Sequence, residues 1–183
     1  MTRIADLDRD SMTPAQRGVY DTIARGPRKG VRGPLAVWLH RPELAQNAQA
    51  LGRYCRYETL LPARLSELAI LVIARAWRAE YEWYVHKPIA LKAGLSPQVV
   101  EAIRSHAVPV FDHRAEAAIY EFLMELHRTR AVSDAVYAEA VAQLGEPGVV
   151  DLVGLAGYYT LISMTINAFQ VALPANVPNE LGT

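Results

Sequence analysis

The chain lacks most of what would commit it to an extracellular, nucleic-acid-binding or dithiol role. It holds one cysteine, Cys55, in 183 residues, so no disulfide can close within it and no thiol pair can cycle between redox states. Nineteen basic side chains balance nineteen acidic ones, for a formal net charge of zero, and nothing at whole-chain level attracts nucleic acid. The first residues, Met-Thr-Arg-Ile-Ala-Asp-Leu-Asp, lack the apolar stretch of a secretory signal. Glycine-rich phosphate loops and nucleophile elbows are missing, as is the two-histidine zinc signature. No run alternates apolar and polar residues for the length of a useful strand, and no segment repeats another. A reducing cytoplasm is the expected compartment.

What is present is apolar material, 51% of the residues, and clear helix punctuation. Thr13-Pro14 reads as an N-cap with proline in the first turn, opening a helix to about Ala24. Residues 26 to 34 form a basic loop rich in breakers, either a solvated connection or an anion site. Pro42 starts a helix in which Leu44, Ala48, Leu51 and Cys55 recur at helical spacing, which makes Cys55 a core residue. Pro62 opens a third helix, apolar on every side from Leu68 to Ala74 and therefore central to the fold. Between Trp77 and Glu82 the pattern fits either a continuing helix or a kink. The helix bearing His86 stops at Gly94, Ser96-Pro97 restarts the chain to about Ser105, and Asp112 caps the next helix. Ser133 caps another, ending at Gly145, and a long apolar helix follows Pro147. The expectation is a single all-α domain over residues 1 to 183 with seven or eight helices, residues 1 to 12 and 174 to 183 being terminal extensions.

Leu152 to Val171 carries no formal charge over a length that spans a bilayer. Gly154, Tyr158, Thr160, Ser163, Asn167 and Gln170 load it heavily for hydrocarbon, so it reads as a helix buried in the domain or between subunits, with no membrane partner.

Chemistry concentrates between Glu67 and His86. Glu82 and His86 are four residues apart, so a helix stacks them at about 5–6 Å between Cβ atoms, where they can share a proton. Histidine titrates near neutrality and a neighbouring carboxylate orients its ring; by spacing alone the pair equally fits an ordinary surface contact. Glu67 precedes an apolar run, as a first-turn acid answering the helix dipole or as a buried proton carrier. Arg75 and Arg78 are candidate anchors for a substrate carboxylate, and Trp83 a candidate pocket wall. His40, His106, His113 and His127 have no partner at a useful spacing, and neither a metal nor a cofactor is expected.

The residues Leu61-Pro-Ala-Arg-Leu-Ser-Glu-Leu-Ala-Ile-Leu, then Glu82-Trp-Tyr-Val-His86, then Ala93-Gly-Leu-Ser-Pro resemble the carboxymuconolactone decarboxylase family of the alkylhydroperoxidase D-like superfamily. Weaker echoes run from Gly33 to Leu44 and from Tyr158 to Phe169. The resemblance implies an all-α subunit assembling as a homo-oligomer, a trimer or a hexamer, with pockets near subunit contacts that Trp83 or the basic loop of a neighbour could reach. In the peroxidase branch a Cys-x-x-Cys pair lies between the glutamate and the histidine; here Ala79 and Glu82 stand at those places. The chain is more similar to the thiol-free branch, which includes a cofactor-independent decarboxylase acting on a carboxylated lactone of aromatic catabolism. On that resemblance His86 is the proton donor or shuttle, Glu82 its orienter, Glu67 a second acid or base, and Arg75, Arg78 and Trp83 substrate contacts. The alternatives are a non-catalytic oligomer binding a small ligand, and a peroxide-reducing enzyme using Cys55.

Overall fold

The computed structural model describes residues 2–182. After a short 3₁₀ turn at Arg9–Ser11, eight helices follow: α1 Pro14–Arg25, α2 Pro34–Trp38, α3 Pro42–Tyr57, α4 Ala63–Trp77, α5 Glu80–Lys92, α6 Pro97–Arg104, α7 Arg114–Thr129 and α8 Asp134–Phe169. No strand occurs among the described residues.

Local chemistry sets these boundaries. Thr13 and Gln16 form a reciprocal capping box at the start of α1, satisfying two donors that a helix N-terminus leaves orphaned. The open question after Trp77 resolves into two helices, because Arg78 turns left-handed at φ 52° and α5 begins two residues later. Within α8 Gly145 adopts φ 71° and ψ 161°, a non-helical geometry that suits glycine and bends the path before Pro147. The helix expected to start at an Asp112 cap instead begins at Arg114 behind His113, with no side-chain cap. The five-residue α2 was not anticipated.

Helix α4 is the axis of the domain. From Leu68 to Ala74 every side chain is at most 2% exposed, and α5, α7 and α8 pack around it. That enclosure explains an all-round apolar helix, since no face remains for water. On length and composition α8 could cross a membrane, yet 61% of its apolar window is buried inside this fold.

The two segments expected as terminal extensions contact the body of the domain. Met12 and Leu181 are buried in the core. Arg3 donates its backbone N–H to Phe169 O at 2.8 Å. At the other end, the backbone N–H groups of Glu180 and Leu181 donate to the Glu80 carboxylate at the start of α5.

Candidate active site

Glu67 lies past the first turn of α4, and Glu82 and His86 occupy one face of α5, the helix that packs most closely on α4. This crossing brings three ionisable groups into a string. His86 Nδ1 lies 2.6 Å from Glu67 Oε2 and Nε2 lies 2.9 Å from Glu82 Oε1. The three residues are 2%, 4% and 5% exposed respectively, so the surface-pair reading of Glu82 and His86 does not describe this fold. The first-turn reading of Glu67 gives way for the same reason: its carboxylate is turned to a buried ring rather than to the helix end.

Burial lowers the proton affinity of the His86 ring, but the two flanking carboxylates outweigh it and hold the ring above its ordinary value. The Tyr159 ring meets His86 edge-on, with 5.3 Å between ring centres, and Tyr158 meets Tyr159 the same way. These aromatic walls fix the plane of the imidazole.

The string opens on a cavity of about 420 Å³ whose lining includes Glu82, His86, Tyr158 and Tyr159. Its basic side is made by Arg28 and Arg32 of the loop after α1 and by Arg56 near the end of α3. Among the described residues none of these three guanidinium groups is salt-bridged to a carboxylate; Arg56 lies over the Tyr57 ring and Arg28 donates to the Tyr158 hydroxyl at 3.4 Å. The loop therefore lines the cavity of its own subunit, where a neighbour's had been considered.

Arg75, Arg78 and Trp83 are not among the residues lining this cavity, and their expected anchoring role is corrected accordingly. One turn before Glu82 the chain leaves α4 through left-handed Arg78, and the side chains of Arg75 and Trp83 meet the C-terminal segment instead. There Arg75 donates to Leu181 O at 3.2 Å and Trp83 Nε1 donates to Glu180 at 3.1 Å, both holding the C-terminal segment. Arg78 lines a separate recess with Trp77 and Asn167. Sequence reasoning missed Arg56, Tyr158 and Tyr159 as cavity residues. The breaker-rich basic loop was the one legible signal for Arg28 and Arg32.

Cys55 stands apart. It is 1% exposed, and burial, reinforced by Asp151, pushes its thiol up to about 11. A thiol in that state has few thiolate equivalents for nucleophilic attack.

Residues 42–125 match the model of the carboxymuconolactone decarboxylase family. No protein of curated function matches the chain. Among solved structures, an uncharacterised peroxidase-related protein from Ralstonia eutropha, described as having an alkylhydroperoxidase AhpD core, superposes with a TM-score of 0.78 at 13% identity, over 95% of this chain and 93% of that one. An uncharacterised peroxidase-related protein from Silicibacter sp. gives 0.76 at 15% identity, over 99% and 94%. The Glu67 to His86 segment thus lies inside the residues that are similar to the carboxymuconolactone decarboxylase family, and the helical fold is shared with the alkylhydroperoxidase D-like structures along nearly its whole length.

Proposed function

We propose that this protein is an acid–base enzyme that moves a proton on a small carboxylated or lactone-type substrate, in the manner of a decarboxylase, with no bound cofactor. The observation that carries this reading is the buried Glu67–His86–Glu82 string ending at a cavity bordered by three arginines.

In its two-proton form the string is either carboxylate–imidazolium–carboxylate or carboxylate–imidazole–carboxylic acid. The two differ only in whether one proton sits on Nε2 or on Oε1, and both carry one net negative charge. Because both ring nitrogens face carboxylates, the group that meets the substrate is Glu82, with His86 behind it as shuttle and Glu67 holding the far proton. This reverses the roles first expected for Glu82 and His86. A substrate carboxylate held by the arginines loses CO₂ as its C–C bond breaks, and the bonding pair passes into an adjacent carbonyl to give an enolate. Glu82 then delivers to that carbon the proton it has taken from His86 Nε2, the Nδ1 proton stays on the ring beside Glu67, and solvent returns one proton to the string.

Peroxide reduction is the weaker alternative, since it would rest on Cys55 alone, buried and with a raised pKa. A purely ligand-binding role leaves the buried string without a use. Self-association, as a trimer or a hexamer in the family's manner, accompanies the proposal; the apolar outer face of α8 is its surface. The reading also keeps the cytoplasm as the compartment.

Screening carboxylated lactones and ring-cleavage acids for CO₂ release tests the proposal. His86→Gln is expected to lower turnover at least a hundredfold, the lower end of what general acid–base catalysis contributes being about 10²-fold, while circular dichroism and oligomer size stay unchanged. Full activity in a folded His86→Gln protein would remove the string from the chemistry.

A further inference from the structure

The cavity wall contributed by α8 holds a polar group that the string does not use. Tyr158 is 2% exposed, lines the cavity beside Glu82 and His86, and its oxygen accepts from Arg28 NH2 at 3.4 Å. Its own O–H hydrogen finds no acceptor among the described residues. A buried phenol usually finds a partner for its hydroxyl, so a donor without one at a cavity wall is a group waiting for a ligand.

The main chain is shaped to keep the phenol there. Gly52 lies in the interior of α3, where glycine is destabilising relative to alanine. A Cβ at that position would overlap the tip of the Tyr158 ring, its hydroxyl and the Arg28 guanidinium. Helix α3 thus gives up local stability at the one point where Tyr158 and Arg28 meet. The Trp38 ring, edge-on to Tyr158 with 6.3 Å between centres, supports its other side. Ring packing alone would not need the arginine at the hydroxyl.

We infer that the Tyr158 hydroxyl, backed by Arg28, is the hydrogen-bond donor for the substrate oxygen on which negative charge develops while Glu82 exchanges a proton with the adjacent carbon. Burial pushes the Tyr158 phenol up to about 12, against the opposing influence of Arg28, so the group keeps its proton at neutral pH and can donate it in a hydrogen bond. Arg28 accepts no proton and adds positive charge behind the phenol oxygen, which strengthens the O–H as a donor. The inference rests on the proton-transfer reading of the site and adds the chemical class of the ligand. The substrate carries a carbonyl group bonded to the reacting carbon, so that removing CO₂ or a proton gives a planar enolate. The arginines then have separate tasks: Arg28 serves the enolate oxygen, while Arg32 and Arg56 remain for a carboxylate.

Oxalate, a planar anion shaped like a small enolate, is the probe. Calorimetric titration of the full chain at neutral pH is expected to show binding that Tyr158→Phe weakens at least tenfold and Arg28→Gln weakens further, with thermal melting confirming that both variants fold. Tyr158→Phe keeps the ring and its packing, so a merely structural role would leave oxalate affinity unchanged. With a substrate in hand, Tyr158→Phe lowers kcat about 10²–10³-fold, as loss of one oxyanion donor does, while KM moves less than threefold. Oxalate binding that is absent in the wild type, or equal in Tyr158→Phe, overturns the inference. His86→Gln separates it from the underlying reading: that variant retains oxalate binding if Tyr158 is the donor, whereas undiminished turnover in it sinks the proton-transfer reading alone.

Discussion

With Glu67 on Nδ1 and Glu82 on Nε2, both ring nitrogens of His86 are engaged by carboxylates, and in the proposed reaction the ring carries protons between them. Because its folded pKa is raised above its unfolded value, the stability that ring protonation contributes is complete below about pH 6.5. That contribution is lost as pH rises through the folded value. Glu67→Gln removes one of the charges that raise it. The alkaline limb of the kcat/KM profile should therefore move to lower pH, and urea midpoints measured from pH 6 to 9 should fall off earlier than in the wild type. Superimposable profiles for the two proteins would show that Glu67 does not hold the ring proton. At this scale the sequence was informative where partners share a helix. Glu82 and His86 are visible as an i, i+4 pair, and Glu67 stood out as an acid beside an apolar run. Tyr158 and Arg28, 130 positions apart, share no helical period, and only folding reveals that one touches the other.

Helix α5 is polar on two sides, which hid its amphipathic pattern from the sequence. Glu82 and His86 face α4 and the cavity, while Glu80, Trp83 and Lys87 face the C-terminal segment. Lys87 Nζ lies 2.6 Å from Glu180 Oε2, and the same oxygen accepts from Trp83 Nε1. Burial raises the Glu180 carboxyl, but these two donors prevail and hold it below its ordinary value. The latch is therefore complete above the unfolded value of about 4.3 and loosens as pH falls through the lower folded one. This explains the 1%-exposed Trp83 better than a pocket wall does: its indole N–H needs an acceptor, and the chain end supplies it. Glu180→Ala is expected to cost about 1–3 kcal/mol, because the buried indole N–H and Lys87 lose a charged partner. Hydrogen exchange should show faster labelling in residues 174 to 182 and at the start of α5. Unaltered exchange there would mean the segment is held by Leu181 packing and its backbone contacts to Glu80 and Arg75, without the Glu180 carboxylate. Pro14, Pro42, Ser96-Pro97 and Gly145 marked other helix boundaries legibly because each carries its own steric or capping reason. The five residues of α2 are too few for a period to emerge.

Across the whole molecule, α4 consumes the most apolar sequence, yet α8 retains a second apolar face that the monomer does not cover. Val150, Val153, Leu161 and Met164 are 71%, 48%, 36% and 50% exposed, and Gly157 between them has open space around its Cα. The residues at 150, 153, 157, 161 and 164 recur at three- and four-residue steps, the spacing of a helix–helix seam. The charge-free stretch that resembles a membrane span thus divides into an inner face packed on the domain and an outer face suited to a second copy. A glutamate placed in such a seam must be desolvated without a counter-ion, which costs more than the contact contributes. Leu161→Glu should consequently shift sedimentation from an oligomer to the monomer, while circular dichroism and melting of the subunit change little, since Leu161 makes no part of the core around α4. The cavity opens between α3, α5 and α8, and its lining faces away from the position-161 seam along the same helix. Oxalate affinity should survive dissociation within about twofold, the roughly 0.3–0.5 kcal/mol within which distant, independent sites add. A monomeric wild type in sedimentation would leave the outer face of α8 without this partner, and a dissociated Leu161→Glu protein that no longer binds oxalate would show that the cavity depends on the assembly.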